Sequence, residues 1–221
     1  MILALAGQKG GSGKTTVALA VAAELFHRGA KVLLVDADPQ GSARTWGAVM
    51  AEAAHEGPTV VGMLGADLAT KLGPIASAFD HVVIDCPPRS DAGQRAALMA
   101  ADLAVLPCGP SAIDAWALAE SVELVKAAQN VPRPGRAPVA AAVLITRKVA
   151  RTAIGAGARE ALESCGLPVL SAELGFRVAF QEAPAAGLGV AQYAPGDAAA
   201  EEVRALVGEL LELAKTTKRR K

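Results

Sequence analysis

Apolar and polar positions follow two repeating patterns along this chain. Short runs that are apolar throughout, of the kind that parallel sheets bury on both faces, are separated by longer segments in which apolar residues recur every three or four positions. The last such segment places Val203, Leu206, Val207 and Leu210 on one helical face. The patterns predict strands at residues 2–6, 32–35, 59–62, 81–88, 103–106, 139–145 and 168–170, and helices at 14–28, around Trp46, and at 67–78, 91–100, 112–128, 153–164 and 197–214.

This alternation of strands and helices predicts the fold class. It implies an α/β fold with a doubly wound, mostly parallel β-sheet flanked by helices on both faces. A chain of 221 residues suits one large domain, which we place at residues 1–214. Residues 215–221 contain five basic residues and are expected to form a flexible tail. Hydrophobic residues make up 52% of the chain and aromatic residues only 3%, so the core must be built from Ala, Val and Leu.

Cysteine usage and hydropathy indicate a cytoplasmic protein. Cys86, Cys108 and Cys165 form no CxxC pair and are odd in number, which favours a reducing compartment and argues against zinc or an iron–sulfur cluster. They are expected to be small buried hydrophobes. The opening apolar run is too short for a signal peptide, and no run approaches the roughly 20 residues of a membrane span.

A glycine-rich stretch follows the first predicted strand directly. Residues 7–16 read GQKGGSGKTT, and a helix is predicted to begin near Lys14. A glycine-rich turn between a strand and a helix indicates a P-loop, because glycines tolerate positive φ and the helix N-terminus attracts phosphate. Lys14 should reach the β and γ phosphates, and Thr15 should bind Mg²⁺. The other residues predicted to surround the phosphates, which with Lys14 and Thr15 form the phosphate cradle, are Gly10, Gly11, Ser12, Gly13 and Thr16.

The stretch departs from the usual P-loop at two positions. Gln8 stands where the strict pattern has glycine, and Lys9 adds a second lysine five residues before Lys14. A second cation would crowd Lys14 unless it points out of the site. Because an outward cation can neutralise charge in a neighbouring subunit's site, as an arginine finger does in trans, Lys9 predicts a dimer with nucleotide between the two copies.

Three carboxylates are predicted at the sheet edge that carries the P-loop. Asp36 and Asp38 follow the second strand and Asp85 follows the fourth, at the edge where open α/β sheets bind ligands. Asp85 is the expected partner of the metal, directly or through water. Cys86 stands where many motor ATPases have a water-activating glutamate, so Asp38 is the candidate for that role and a further candidate at the metal. The alternative is that these aspartates only cap turns.

Three segments are together similar to the signature motifs of the ParA/MinD family of deviant Walker ATPases. They are residues 9–16 (KGGSGKTT), 36–40 (DADPQ) and 82–88 (VVIDCPP). The DxDPQ form favours the ParA branch. Residues 177–184 (RVAFQEAP), followed by Gly187, resemble the family's segment between the last strand and the final helix. The resemblance spans nearly the whole chain and is to a small form without an N-terminal helix-turn-helix.

The resemblance implies an activity and a set of roles. In that family ATP drives dimerisation, the dimer binds DNA without sequence preference, and a partner protein, ParB-like or a cargo adaptor, stimulates hydrolysis. The chain is thus expected to be a weak Mg²⁺-dependent ATPase on the nucleoid that positions a plasmid, a chromosome or a protein complex. The implied catalytic residues are Lys9, Lys14 and Asp38; nucleotide-binding residues are Lys9, Gly10, Gly11, Ser12, Gly13, Lys14, Thr15, Thr16 and Asp85; metal-site residues are Thr15, Asp85 and Asp38.

Charge is unevenly distributed although its net value is zero. Residues 1–130 hold nine Lys and Arg against thirteen Asp and Glu, whereas residues 124–159 hold seven basic residues and no carboxylate. This asymmetry indicates a polyanionic partner, and nonspecific DNA is the hypothesis. The seven aromatic residues are not interleaved with the basic ones, so base stacking is not expected. The candidate contacts are Arg147, Lys148, Arg151, Arg159, Arg177 and Arg204, with a merely solvated basic face as the alternative.

Two other functions compete with this interpretation. A MinD-like membrane-surface ATPase would anchor through a C-terminal amphipathic helix, but no Phe, Trp or Leu follows Leu213, so stable membrane association is not expected. A metabolic P-loop enzyme would turn over ATP as a monomer, without DNA or a partner, and Lys9 would then have no role in trans.

Overall fold

One parallel sheet organises the residues that the computed structural model describes, which are 1–150 and 152–219. Within these ranges seven strands pair in the order β3-β2-β4-β1-β5-β6-β7, each parallel to its neighbours. The predicted α/β fold is therefore confirmed, with a sheet that is parallel throughout the described part. The strands are β1 Ile2–Leu5, β2 Val32–Asp36, β3 Thr59–Gly62, β4 His81–Asp85, β5 Leu103–Cys108, β6 Ala140–Lys148 and β7 Val169–Gly175.

Helices cover both faces of the sheet. Buried residues of α1 and α9 pack on one face, and those of α3, α4 and α5 pack on the other, so the described residues form two apolar layers. The helices in the described ranges are α1 Lys14–His27, α2 Ser42–Glu52, α3 Gly65–Ala76, α4 Asp91–Ala100, α5 Ala112–Gln129, α6 Ala153–Glu163, α7 Ala179–Ala185, α8 Val190–Tyr193 and α9 Ala198–Arg219. None of them combines the length and the apolar character needed to cross a bilayer.

Strand order places the predicted site residues side by side. β4 lies between β2 and β1, and the register pairs Asp85 with both Asp36 and Leu5 at the carboxyl ends of the three strands. Consequently the P-loop, which follows β1, and the aspartates of β2 and β4 meet at one edge of the sheet.

The structure differs from the sequence-based prediction mainly after β6. β7 extends to Gly175 rather than residue 170, because as a sheet edge it alternates buried and solvated residues and lacks a continuous apolar run. The short helices α7 and α8 were not predicted, since Pro184 and neighbouring glycines interrupt their pattern. α9 continues through Arg219 into the predicted tail, where Lys215 pairs with Glu212 at 2.7 Å; residues 220 and 221 lie outside the described ranges.

Glutamates of α9 satisfy the unpaired edge of β7. Glu209 accepts hydrogen bonds from the backbone N–H groups of Ser171 and Ala172, both at 2.8 Å, and Glu202 accepts one from Gly175 at 2.9 Å. An exposed strand edge is a template for unwanted pairing, so these side chains protect the sheet from edge-to-edge association.

Candidate nucleotide-binding site

Two glycines give the P-loop its phosphate-binding shape. Gly11 has φ of 72° and Gly13 has φ of 101°, values that residues with a Cβ rarely adopt. Gly10 is not among the positive-φ glycines, and a Cβ added there would meet no atom within 4 Å. Gly13 precedes the first turn of α1, which contains no acidic residue, so the N–H groups of this turn face the pocket without a competing carboxylate.

Side chains from three other elements fix the P-loop in place. The buried Thr146 hydroxyl, at the end of β6, donates to the Ser12 carbonyl at 2.9 Å. Gly7 N–H donates to Oε1 of the fully buried Gln94, and Gln8 N–H donates to the Ser121 hydroxyl at 3.0 Å. These contacts preorganise the loop, so binding phosphate requires little further ordering.

Lys14 is held inside the cradle. Its side chain is buried, and its Nζ donates to the carbonyl of Lys9 at 3.0 Å. Burial lowers the pKa of Lys14, and the carboxylates of Asp85 and Asp38 act against this shift. A phosphate at this position would supply the opposite charge that a buried ammonium needs, as the sequence predicted.

Asp85 carries a fully buried carboxylate beside the P-loop. Neither of its side-chain oxygens has a partner with hydrogen-bond geometry among the described residues, although the Thr15 hydroxyl lies close enough to favour the ionised form. Burial raises the pKa of Asp85 to about 7, and the nearby Thr15 hydroxyl and Lys14 ammonium counteract burial only in part. A buried, unsatisfied carboxylate beside the P-loop threonine fits the donor set that Mg²⁺ prefers.

Asp36 and Asp38 have different roles. Asp36 is fully buried, and its two oxygens accept hydrogen bonds from the backbone N–H groups of Asp38 at 3.1 Å and Arg44 at 2.9 Å. Asp36 therefore fixes the turn after β2. Asp38 accepts one bond from Gln40 N–H and lines the pocket in front of the P-loop, so it lies where a hydrolytic role requires it.

A pocket of about 320 Å³ lies in front of the P-loop and is lined by Lys14, Thr15 and Asp38. Its size suits a nucleotide. The last residues of β6 and β7 and the segment that follows β7 also line it. The side chains and backbone that line it are Gly10, Gly11, Gly13, Lys14, Thr15, Thr16, Val17, Asp38, Pro88, Thr146, Arg147, Leu174, Gly175, Phe176, Arg177, Phe180 and Gln181.

Part of this lining was not predicted from the sequence. Thr146 and Phe176 were not singled out, and Arg147 and Arg177 were assigned to DNA. A polar residue at the carboxyl end of a buried strand was the available signal for Thr146, whereas nothing in the sequence places Phe176 at the pocket.

Lys9 lies outside the pocket that its own P-loop forms. Its Nζ donates to Oδ1 of Asp114 at 2.8 Å, and Arg147 donates to the same oxygen at 3.1 Å. Asp114 also completes a capping box with Ser111 at the start of α5. Lys9 thus lies off its own nucleotide pocket with its ammonium bound to a carboxylate of the same chain, and its role in trans stays a prediction.

Asp114→Asn is expected to lower the free energy of unfolding by about 1–2 kcal/mol at neutral pH. Burial would raise the pKa of Asp114, but hydrogen bonds from Lys9 and Ser111 outweigh burial and hold it below the ordinary 3.8. A lowered acid pKa stabilises the fold above pH 3.8 and loses that effect as pH falls further.

Urea unfolding of the two proteins at several pH values measures this difference. The gap should be present from pH 5 to 7 and should shrink below about pH 4. A gap that is constant with pH would show that the carboxylate charge is not responsible. Asp67→Asn, which breaks the exposed pair with Lys71, is the control and should change stability by less than about 0.5 kcal/mol.

Carboxylates pair with four of the candidate DNA contacts. Lys148 and Arg159 both bind Glu173, Arg177 binds Glu202, and Arg147 binds Asp114. Arg204 donates to the Pro195 carbonyl at 2.9 Å, and Arg151 lies outside the described ranges. Residues 124–159 contain no carboxylate in the sequence, but in the structure Asp114 of α5 and Glu173 of β7 pair with three of their basic side chains. The assignment of these residues to DNA stays a prediction.

Comparison with known proteins places this site in a family. Residues 3–190 match the CobQ/CobB/MinD/ParA nucleotide binding domain. The chain belongs to this family. Among its relatives is the maintenance of carboxysome distribution protein A of Halothiobacillus neapolitanus, 32% identical over 95% of each chain. Another is the chromosome-partitioning ATPase Soj of Thermus thermophilus, 31% identical over 95% of this chain and 94% of Soj.

Solved structures of the family share the fold. The cell division ATPase MinD of Pyrococcus furiosus superposes with a TM-score of 0.75 at 21% identity, covering 96% of this chain and 98% of MinD. An ATP complex of a Cyanothece McdA variant gives a TM-score of 0.73 at 20% identity, covering 96% of this chain and 95% of that one.

Family membership and site geometry establish an ATPase whose cofactors are ATP and Mg²⁺. In this chain the P-loop backbone and Lys14 are the groups that would hold the phosphates, and Thr15 and Asp85 are those that would hold the ion. Bound Mg²⁺ would neutralise charge between the β and γ phosphates. Within the described ranges no cluster of three His, Cys, Asp or Glu could hold a metal by itself.

Proposed function

We propose that this ATPase is a nucleotide-controlled dimerisation switch that positions a cargo on DNA. One observation carries the proposal: Lys9, the second P-loop lysine, does not line its own nucleotide pocket and lies at the surface of the P-loop beside Asp114. By exchanging Asp114 for phosphate, Lys9 would reach the phosphates of a second copy and complete a nucleotide-sandwich dimer related by two-fold symmetry.

The relatives support the positioning role. Proteins at 31% and 32% identity over 95% of this chain are named for carboxysome distribution and chromosome partitioning. Both names describe the placement of a large object. We propose the same class of role here, with a partner protein on the cargo stimulating hydrolysis at Asp38.

The proposed DNA contact uses the ion-paired basic residues. The side chains of Lys148, Arg159 and Arg177 are about one third exposed, and such pairs contribute only about 0–1 kcal/mol each. Phosphates of DNA can therefore replace Glu173 and Glu202 as partners at low cost. Two copies in a dimer present these cations twice, which would make DNA retention depend on ATP and fall steeply with salt.

Asp38→Ala is expected to trap the ATP-bound dimer and to retain nonspecific DNA. Asp38 lines the pocket, and the hydrogen bond that its carboxylate accepts comes from Gln40 N–H in its own turn, so its removal should block turnover without weakening ATP binding. Light scattering with ATP or ADP measures the dimer, and a DNA shift at low and high salt measures retention.

Each arm of this experiment has an outcome that contradicts the proposal. A protein that remains monomeric with ATP would contradict the switch. A dimer that leaves DNA free at low salt would contradict the DNA contact, and one that co-sediments with anionic vesicles would favour a membrane surface instead. Asp67→Ala, at an exposed carboxylate of α3, is the matched control and should behave as the unmodified protein.

A further inference from the structure

The nucleotide pocket extends across several strands of the sheet. The P-loop follows β1, and Asp38 follows β2, which lies two places from β1 on one side. Phe176 follows β7, which lies three places from β1 on the other side. At roughly 4.8 Å between neighbouring strands, β7 is about 14 Å from β1 across the sheet. Residues from opposite sides of β1 therefore line the two ends of the pocket.

The metal and the terminal phosphate fix the direction in which a nucleotide lies. Thr15 and Asp85 would hold Mg²⁺ between the β and γ phosphates, and Asp85 belongs to β4, on the β2 side of β1. The terminal phosphate must then point towards that side, where Asp38 also lines the pocket. The sugar and the base consequently extend the opposite way, towards the ends of β6 and β7.

Phe176 offers an aromatic face at that end of the pocket. It lines the pocket but is 64% exposed, so the described chain leaves most of its ring uncovered. Its backbone N–H donates to the Lys148 carbonyl at 3.0 Å, which fixes its backbone beside the end of β6. Leu174 and Phe180 line the same pocket, but they are buried in the apolar layer that they share with α1. Phe176 is thus the aromatic side chain whose surface is available to a ligand.

The arginines that line the pocket are bound to carboxylates. Arg177 donates to Glu202 from Nε at 2.9 Å and from Nη2 at 2.6 Å. Arg147 donates to Asp114 at 3.1 Å. A guanidinium plane can stack on a base as an aromatic ring can, but these contacts hold both planes against their carboxylates. The ring of Phe176 has no such competing partner, because it carries no polar atom.

We propose that Phe176 stacks on the nucleobase of the bound nucleotide. A base presents a flat π-face to an aromatic ring, and contact between the two removes apolar surface of both from water. Stacking of this kind should strengthen nucleotide binding about tenfold to a hundredfold. The inference goes beyond the proposed switch and does not rest on it, because Phe176 and the P-loop belong to one copy.

The probes are the Mg²⁺ complexes of ADP and of inorganic pyrophosphate, which has the two phosphates of ADP without the sugar and the base. Neither carries a γ-phosphate, so the proposed dimer does not enter the measurement. In calorimetry Phe176→Ala should bind ADP at least about tenfold more weakly than the unmodified protein does, and its affinity for pyrophosphate should stay within about twofold. A residue that only supports the P-loop would weaken the binding of both ligands alike.

Three further variants separate the ring from its bulk and its position. Phe176→Tyr keeps the ring and should bind ADP within about twofold of the unmodified protein. Phe176→Leu keeps apolar bulk without a ring and should remain at least about threefold weaker. Val178→Ala is the matched control, because Val178 is 63% exposed two residues later and does not line the pocket. It should leave both affinities unchanged, and unfolding midpoints confirm that each variant is folded.

A tryptophan at this position reports contact with the base directly. Neither Trp46 nor Trp116 lines the pocket, so ADP should leave the emission of the unmodified protein nearly unchanged. In Phe176→Trp, ADP should quench the emission of the added indole because the base stacks on it, and pyrophosphate should not.

Several results would overturn the proposal. They are an equal loss of ADP and pyrophosphate affinity in Phe176→Ala, an unchanged ADP affinity in that variant, an equal loss in Val178→Ala, and no quenching by ADP in Phe176→Trp. Full ADP affinity in Phe176→Leu would also reject stacking, because apolar bulk alone would then account for binding. Failure of the proposed switch, measured with Asp38→Ala and ATP, would leave all of these results as they are.

Discussion

Lys9→Ala is expected to abolish the ATP-dependent dimer while ATP binding by the monomer stays nearly unchanged. In the structure Lys9 is absent from the lining of its own pocket, and Lys14 alone supplies a lysine ammonium there. The monomer should therefore lose no direct contact to nucleotide. The dimer should lose one charged contact in each of its two symmetric sites.

The size of this effect follows from the two-fold symmetry. A charged hydrogen bond to a buried phosphate contributes about 2 kcal/mol or more, so two such losses weaken the dimer by about 4 kcal/mol, or roughly a thousandfold. Partner-stimulated hydrolysis should fall by a similar or larger factor, because a cation acting in trans contributes about 10³-fold or more to phosphoryl transfer.

The neighbours of Lys9 should stay paired when its side chain is removed. Asp114 keeps Arg147 at 3.1 Å and Ser111 as partners when Lys9 is removed, so its carboxylate is not left unpaired. The monomer should consequently lose no more than about 1 kcal/mol of stability. Lys71→Ala, which removes an exposed lysine with a carboxylate partner at 2.9 Å on α3, is the matched control.

Light scattering, equilibrium binding of labelled ATP and stimulated turnover together measure the outcome. A Lys9→Ala protein that still dimerises with ATP would refute the role in trans. Loss of ATP binding by the monomer would instead show that Lys9 serves its own pocket.

The sequence predicts best those strands whose apolar run is unbroken along the chain. β1, β2 and β4 are buried on both faces, so their apolar runs are unbroken, and their ends are marked by the P-loop or by prolines. Parallel pairing then forces Asp36, Asp85 and the P-loop to one edge. The core of the site follows from these local signals alone.

The features that the sequence could not predict depend on residues far apart in the chain. The contact between Lys9 and Asp114 spans 105 positions. Glu173 meets Lys148 through the pairing of β6 with β7, and it meets Arg159 because α6 packs beside β7. A count of charges along residues 124–159 therefore overstates the unpaired positive charge of this segment. Carboxylates from other parts of the chain pair with its basic side chains in the folded protein. Phe176 reaches the pocket through the same tertiary arrangement.

Asp85→Asn is expected to stabilise the nucleotide-free protein and to lower ATP turnover by at least about a hundredfold. The Asp85 carboxylate is fully buried, and its oxygens have no partner with hydrogen-bond geometry among the described residues. Because burial raises the pKa of Asp85 to about 7, this carboxyl opposes folding at neutral pH, where the unfolded chain carries it ionised in water. Replacing it by a neutral amide of the same shape should therefore add about 2 kcal/mol at pH 7, or roughly 4–8 °C in Tm for a domain of this size.

Asp36→Asn is the control, because Asp36 of β2 lies directly beside Asp85 of β4 in the sheet. Asp36 is equally buried, but its two oxygens accept hydrogen bonds from backbone N–H groups, so the same substitution there should destabilise the protein. Opposite signs for two aspartates side by side in the sheet would attribute the effect to the missing partner of Asp85. A loss of stability in both variants would contradict this explanation.

Mg²⁺ and ADP should reverse the order of stability between Asp85→Asn and the unmodified protein. Ligand at a hundred times its dissociation constant stabilises the folded state by about 2.7 kcal/mol, and only a protein that binds the ion gains this fully. Thermal unfolding with and without Mg·ADP measures the reversal, and ADP with a chelator should not produce it. If it is observed, the free energy that Asp85 costs the empty protein is recovered when nucleotide binds, because the buried carboxylate then has its cation.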